Sequence, residues 1–99
     1  MQLRINAEVA EDLAKIKNYI EQDSEQNAKE VVMRIVDCIE NLLQFPDSGM
    51  KLENHTKRRN NYRFKIILPY LVFYKIEKDV IKVYRVLHAA QNYIKLLEL

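Results

Sequence analysis

The hydrophobic period of this chain changes once, near its middle, and that change decides what it can fold into. Up to Phe45 the apolar residues recur every three or four positions: Val9, Leu13, Ile16 and Ile20 in one run, then Ala28, Val32, Ile35, Ile39 and Leu42 in a second. Such spacing lays a stripe along one face of a helix. The polar segment from Gln22 to Gln26 that separates the runs is short, so the two helices are expected to reverse direction there and pack as an antiparallel hairpin. Beyond Tyr62 the pattern is that of extended chain. β-Branched and aromatic residues dominate 62–68, 71–76 and 80–87, three predicted strands joined at Pro69-Tyr70 and at Glu77-Lys78-Asp79. Joins this short require antiparallel pairing.

The remaining pieces fit around these two blocks. Leu3 and Ile5 alternate with Gln2 and Arg4 as a short strand, and Asn6 offers a cap for the first helix, with Glu8 near the positive end of its dipole. Pro46-Asp47-Ser48-Gly49 ends the second helix in a turn, residues 51–61 read as a polar loop, and 88–97 as a short helix containing Ala89, Ala90, Leu96 and Leu97. The order specifies an α+β fold: an N-terminal strand, a helical hairpin packed on an antiparallel β-sheet, and a short C-terminal helix. The hairpin covers one face of the sheet and leaves the other free to bind. Many strand residues are apolar at both parities, so alternation assigns no face to Arg63, Lys65 or Arg85.

Ninety-nine residues with one Gly and two Pro give one domain, 1–99, with no material for a linker. The longest apolar runs, Ile66-Ile67-Leu68 and Leu71-Val72-Phe73-Tyr74, fall far short of the ~20 residues of a membrane helix. Met1-Gln2-Leu3-Arg4 carries no signal-peptide core, so a cytosolic location with no membrane partner is expected. The single cysteine, Cys38, lies one position from the second helical stripe and reads as a packing residue. His55, His88 and Cys38 show no paired ligand spacing, and no Gly-rich phosphate loop occurs, so neither a metal nor a nucleotide cofactor is expected. The net charge of +2 conceals an asymmetry: residues 1–50 hold five Lys/Arg against ten Asp/Glu, residues 51–99 eleven against four. Such a division favours a positive surface facing nucleic acid or an acidic partner.

The cations concentrate in Lys57-Arg58-Arg59, Arg63 and Lys65. Guanidinium groups pair with phosphate oxygens in bidentate fashion, so this segment suits phosphate binding. It equally suits a solvated loop beside a strand, or a dock for an acidic protein chain. Tyr62 beside Arg63 stacks on a base in the first reading and packs in the core in the others. His88 stands where the last strand ends, three residues after Arg85 and five before Tyr93. An imidazole to move a proton, a phenol to donate one, and Arg63 and Arg85 to hold phosphate charge would suffice for metal-free RNA cleavage by the neighbouring 2′-hydroxyl. The alternative is that His88 anchors the C-terminal helix and Tyr93 packs beneath it.

Taken together, the helical hairpin, Phe45-Pro46-Asp47-Ser48-Gly49, Tyr62-Arg63, Tyr70-Leu71-Val72-Phe73-Tyr74 and Arg85-Val86-Leu87-His88 leading to Tyr93 resemble the RelE/ParE superfamily of type II toxin-antitoxin toxins. The resemblance implies growth arrest, plasmid stabilisation and a cognate antitoxin whose tail docks on the apolar margin of the hairpin or the cationic strand face. The RelE-like branch cleaves ribosome-bound mRNA. There Tyr93 matches the tyrosine after the last strand, and Lys51 and Lys57 lie where its catalytic lysines occur. The arginines do not match, because this chain has Leu71, Ala89 and Ala90 where that branch carries cations. Each missing donor removes on the order of 3 kcal/mol of transition-state stabilisation. Pro69 to Tyr74 and Arg85 to His88 instead look like the ParE branch, which inhibits DNA gyrase. The target-binding set expected is then Lys57, Arg58, Arg59, Arg63, Lys65, Arg85, His88 and Tyr93.

Overall fold

The computed structural model describes residues 1–99. Strand β1 (Gln2–Ile5) runs through Asn6 into helix α1 (Ala7–Glu21), which reverses into α2 (Glu25–Asn41). Ser24 caps α2, its side chain accepting from the Asn27 N–H at 3.0 Å and so satisfying one of the orphan donors of the first turn. After a single 3₁₀ turn at Pro46–Ser48 come β2 (Met50–Lys51), a second such turn at Leu52–His55, β3 (Arg63–Ile67), β4 (Tyr70–Glu77), β5 (Val80–His88) and helix α3 (Tyr93–Leu96). No helix is long and apolar enough to cross a membrane.

The strands form one sheet in the order β1-β5-β4-β3-β2. The antiparallel set β3, β4 and β5 is as expected from the short joins, and β1 extends it by pairing parallel to β5, which makes the sheet mixed. Helices α1 and α2 lie on one face. Val9, Ile16, Val31, Ile35, Ile39 and Leu42 interlock there with Tyr70, Val72, Tyr74, Ile81, Val83 and Val86.

Three features depart from the sequence reading. The face opposite the hairpin is only partly free, because Leu71, Phe73, Leu87 and Phe64 are buried there beneath Leu52, Tyr62 and Leu97, with Tyr93 and Leu99 packed at the margin. The polar stretch 51–61 supplies Leu52, only 1% exposed, to this second core. The C-terminal helix is one turn and not ten residues, because β5 continues to His88 and a turn takes up the residues before Asn92, whose side chain caps α3.

A β-bulge explains why β5 is apolar at both parities. Phe73 pairs with Arg85 but Tyr74 pairs with Val83, so Tyr84 is an extra residue in the ladder. Before it Ile81 and Val83 face the hairpin, and after it Val86 does. An unbroken alternation would have driven Arg85 into the aliphatic core; the inserted residue turns it aside.

Candidate functional site

Arg85 and Asp12 form the most buried ion pair in the molecule. Beyond Val83 the outer edge of β5 has no strand beside it, since β1 ends at Ile5 and α1 departs. Asp12, 6% exposed and the only buried charged residue, fills that gap. Its Oδ2 accepts from the Val86 N–H at 3.0 Å and from Arg85 Nε at 2.9 Å, while its Oδ1 accepts from Arg85 Nη2 at 2.9 Å. Glu8 adds a looser contact to Nη1 at 3.6 Å. The carboxylate thus does the work of a neighbouring strand and neutralises the guanidinium that the bulge exposes. The hydrogen bond to Asp12, opposed by desolvation, raises the Arg85 pKa above its ordinary value. A bidentate pair of this kind is broken only at a cost of about 3–5 kcal/mol. Asp12 escaped the sequence reading, although a carboxylate between Val9 and Ile16 on an apolar stripe signals a buried partner.

Arg63 is engaged in a similar way at the other end of the sheet. Its Nη1 donates to the Gly49 carbonyl at 3.0 Å and to that of Asp47 at 3.4 Å, and its Nη2 lies 3.5 Å from Asp47 Oδ1. The same turn is tied to Tyr74, whose buried hydroxyl donates to the Pro46 carbonyl at 2.7 Å and accepts from the Gly49 N–H at 2.8 Å. A Cβ on Gly49 would meet Tyr74 Cε1 at 2.6 Å, so the close approach of ring and backbone requires glycine here.

His88 and Tyr93 lie on opposite faces. The His88 ring meets Tyr70 of the hairpin-side core edge-on at 5.7 Å, and its Nδ1 accepts from the Ala90 N–H at 2.9 Å, which leaves the proton of the neutral ring on Nε2. The His88 N–H donates to Gln91 Oε1 at 2.7 Å. These bonds shape the turn after β5. Tyr93 instead packs against Phe73 in the second core, ring centroids 5.3 Å apart. The four groups named for phosphodiester cleavage are therefore not gathered: the two arginines are bound to acidic or carbonyl partners, and the histidine and tyrosine are separated by the sheet.

The other cations are more available. Lys57, Arg58 and Arg59 are exposed on the loop before β3 and make no ion pair. That loop is clipped by Asn60, whose side chain donates to the Arg58 carbonyl at 2.9 Å and accepts from the Tyr62 N–H at 2.9 Å. Lys65 faces α2 beside Arg34, Asp37 and Cys38, in a shallow depression where burial pushes the Cys38 thiol up. A groove of about 470 Å³ opens between α1 and the end of β5, lined by Ile16, Tyr19, Pro69, Tyr70, Val86 and His88 among others. Tyr19, 68% exposed, stands at its rim.

Comparison with known proteins agrees with the fold. A solved chain described as "Chromosomal ParDE TA system from P. aeruginosa" superposes with a TM-score of 0.73 at 20% sequence identity, covering 89% of this chain and 95% of that one, which is a likeness of fold. No curated protein sequence matches significantly. The family model described as ParE toxin of type II toxin-antitoxin system, parDE, matches residues 3–93, from β1 through the second core to Tyr93. The helical hairpin and strands β2 to β5 are inside that match, with all of β1 but Gln2, and the chain belongs to the ParE toxin family of type II toxin-antitoxin systems.

Proposed function

We propose that this chain arrests growth in the cytoplasm by binding DNA gyrase, without cutting RNA, and that a cognate antitoxin neutralises it. Family membership supports the toxin reading. The observation that carries the binding mode is the fate of the arginines. Arg85 is held by Asp12 and Glu8, and Arg63 by the turn at Gly49. A nuclease needs unsatisfied donors aimed at the phosphate that gains charge in the transition state. Here recruiting Arg85 would first uncover a buried carboxylate, which opposes the reaction by several kcal/mol.

The exposed loop cations Lys57, Arg58 and Arg59 are the target-facing elements of this reading. The groove beside α1 suits the antitoxin. It is apolar at its base, is rimmed by Tyr19 and His88, and is of a size to take the apolar side of an amphipathic segment. Tyr19→Ala is expected to weaken antitoxin binding by about 2 kcal/mol, as loss of an exposed aromatic anchor does.

Purified toxin added to gyrase tests the proposal: it should block supercoiling or trap cleaved DNA while mRNA on translating ribosomes remains whole. Full gyrase activity combined with cut mRNA would reverse it and favour the RelE-like alternative. Failure to arrest growth at all would favour a protein-binding module without toxicity.

A further inference from the structure

Three strands bring three cations into one row on the sheet face away from the hairpin. Arg4 of β1 is the register partner of Lys82 of β5, and Lys82 is the partner of Lys75 of β4. Their alternates Leu3, Ile81 and Ile76 pack into the hairpin-side core, so the cations project from the opposite face. Adjacent strands are ~4.8 Å apart, which makes the row about 10 Å long. Arg4 is exposed there, and Lys75 and Lys82 are half-buried.

The row is unusual in what surrounds it. Like charges directly opposite on a ladder repel, and cross-strand partners of opposite sign would be the stabilising choice. None of the three makes an ion pair. Glu77, the carboxylate on the same face, is engaged by the Tyr84 hydroxyl, which donates to it at 3.1 Å. Burial, and then the charges of Glu98, Glu8 and Glu77, raise the Tyr62 phenol, so carboxylates stand nearby without pairing with the row. The ammonium groups themselves lie against aromatic rings: Lys75 Nζ is 4.4 Å from the Tyr62 ring centroid and 5.0 Å from that of Tyr84, and Lys82 Nζ is 4.9 Å from Tyr84. The rings hold the ammonium groups side by side through their π-faces without neutralising them. Tyr62 also follows the loop that carries Lys57, Arg58 and Arg59, three more exposed cations without an ion pair.

We propose that Arg4, Lys82 and Lys75 form a contact site for the sugar-phosphate backbone of duplex DNA. Charge density favours this ligand over an acidic peptide. One strand of a duplex carries a negative charge per ~3.4 Å of axis, so about three phosphates, one for each cation, pass over a row of this length. An extended peptide advances ~3.3 Å per residue and alternates its side chains, and so offers only one or two carboxylates over the same span. The site concerns free toxin and DNA and does not depend on gyrase being the target.

The test is fluorescence anisotropy of a short labelled DNA duplex with purified toxin over a range of salt concentrations. Wild type should bind with a steep salt dependence. The Arg4→Gln/Lys75→Gln/Lys82→Gln variant should bind at least about tenfold more weakly at low salt, with a log–log slope shallower by roughly 3, close to 0.9 for each phosphate left without its cation. Arg4→Gln alone, a change to an exposed side chain, should reduce the slope by about 1 and guards against misfolding of the triple variant. A Lys17→Gln/Lys29→Gln variant on the helices should bind as wild type does. The proposal is overturned if the triple and single variants bind like wild type, if the helix variant loses as much as the triple, or if a polyglutamate peptide of equal charge binds as tightly as the duplex.

Discussion

The two faces of the sheet bury their apolar side chains by different means. On one, aliphatic residues of two long helices close over β4 and β5, and the arginine nearest that core is matched by two carboxylates. On the other, an aromatic-rich core lies under a loop and a single helical turn at the chain end, and the cations beside it have no carboxylate partner. A long helix packed along its length opens only with the whole fold, whereas the single turn of α3 needs to release little more than Leu97, Tyr93 and Leu99. Burying a side chain such as Leu97 is worth only ~1.5–3 kcal/mol. Stability is thus concentrated on the hairpin side, and the capacity to expose surface and charge on the other.

The largest effect that separates the faces should come from Asp12→Ala. Loss of the carboxylate strands Arg85 and the Val86 N–H, and urea unfolding should show a loss of about 3–5 kcal/mol. A loss below about 1 kcal/mol would mean that Arg85 is as free as the cations of the other face. Next comes a pair of truncations: Ile35→Ala should cost up to about 5 kcal/mol, and Leu97→Ala about 2 kcal/mol, near the low end for such changes, because the terminal turn relaxes around the gap. Hydrogen exchange sharpens the same contrast. Amides of α3 should exchange by local opening and those of α2 and β5 only by global unfolding; equal protection would abolish the distinction.

Titration of Tyr84 reads the second face alone. Burial, and then its hydrogen bond to Glu77, raise the phenol to about 12. An unfolded tyrosine ionises near pH ~10, so stability from this group is fully present below that pH and is lost as pH rises from there through the folded value. Tyr84→Phe should flatten this alkaline fall measured by urea unfolding, and an unchanged profile would remove Tyr84 as its source. Smallest of all is Lys82→Gln, expected within about 0.5 kcal/mol of wild type and on the stabilising side, since it relieves the repulsion from Lys75 and Arg4. A clear destabilisation would mean that the ammonium–ring contacts outweigh that repulsion.

Legibility in the sequence followed the range of the interactions. Helices α1 and α2 and strands β3, β4 and β5 were readable because a repeat of apolar positions reports burial of the element that carries it. The lid on the second face was not, since Leu97 and Tyr93 look like any short helix until the aromatic side chains of β4 and β3 are known to lie beneath them. The bulge at Tyr84 hides in a run that is apolar at both parities, and only its register reveals it. Arg85 reads in the sequence as a cation for phosphate or target, because its partner Asp12 lies 73 positions away and no local pattern joins the two. The cationic row escaped for the same reason, for its members come from three strands and meet only in the sheet.

The central claim is that toxicity rests on binding and not on RNA cleavage by His88 and Tyr93. The most direct measurement is growth arrest on induction of a His88→Ala/Tyr93→Phe double variant, together with the integrity of ribosome-bound mRNA. Arrest should persist at the wild-type level with intact transcripts in both strains. Loss of arrest in the variant, alongside transcripts cut by wild type and spared by the variant, would contradict it.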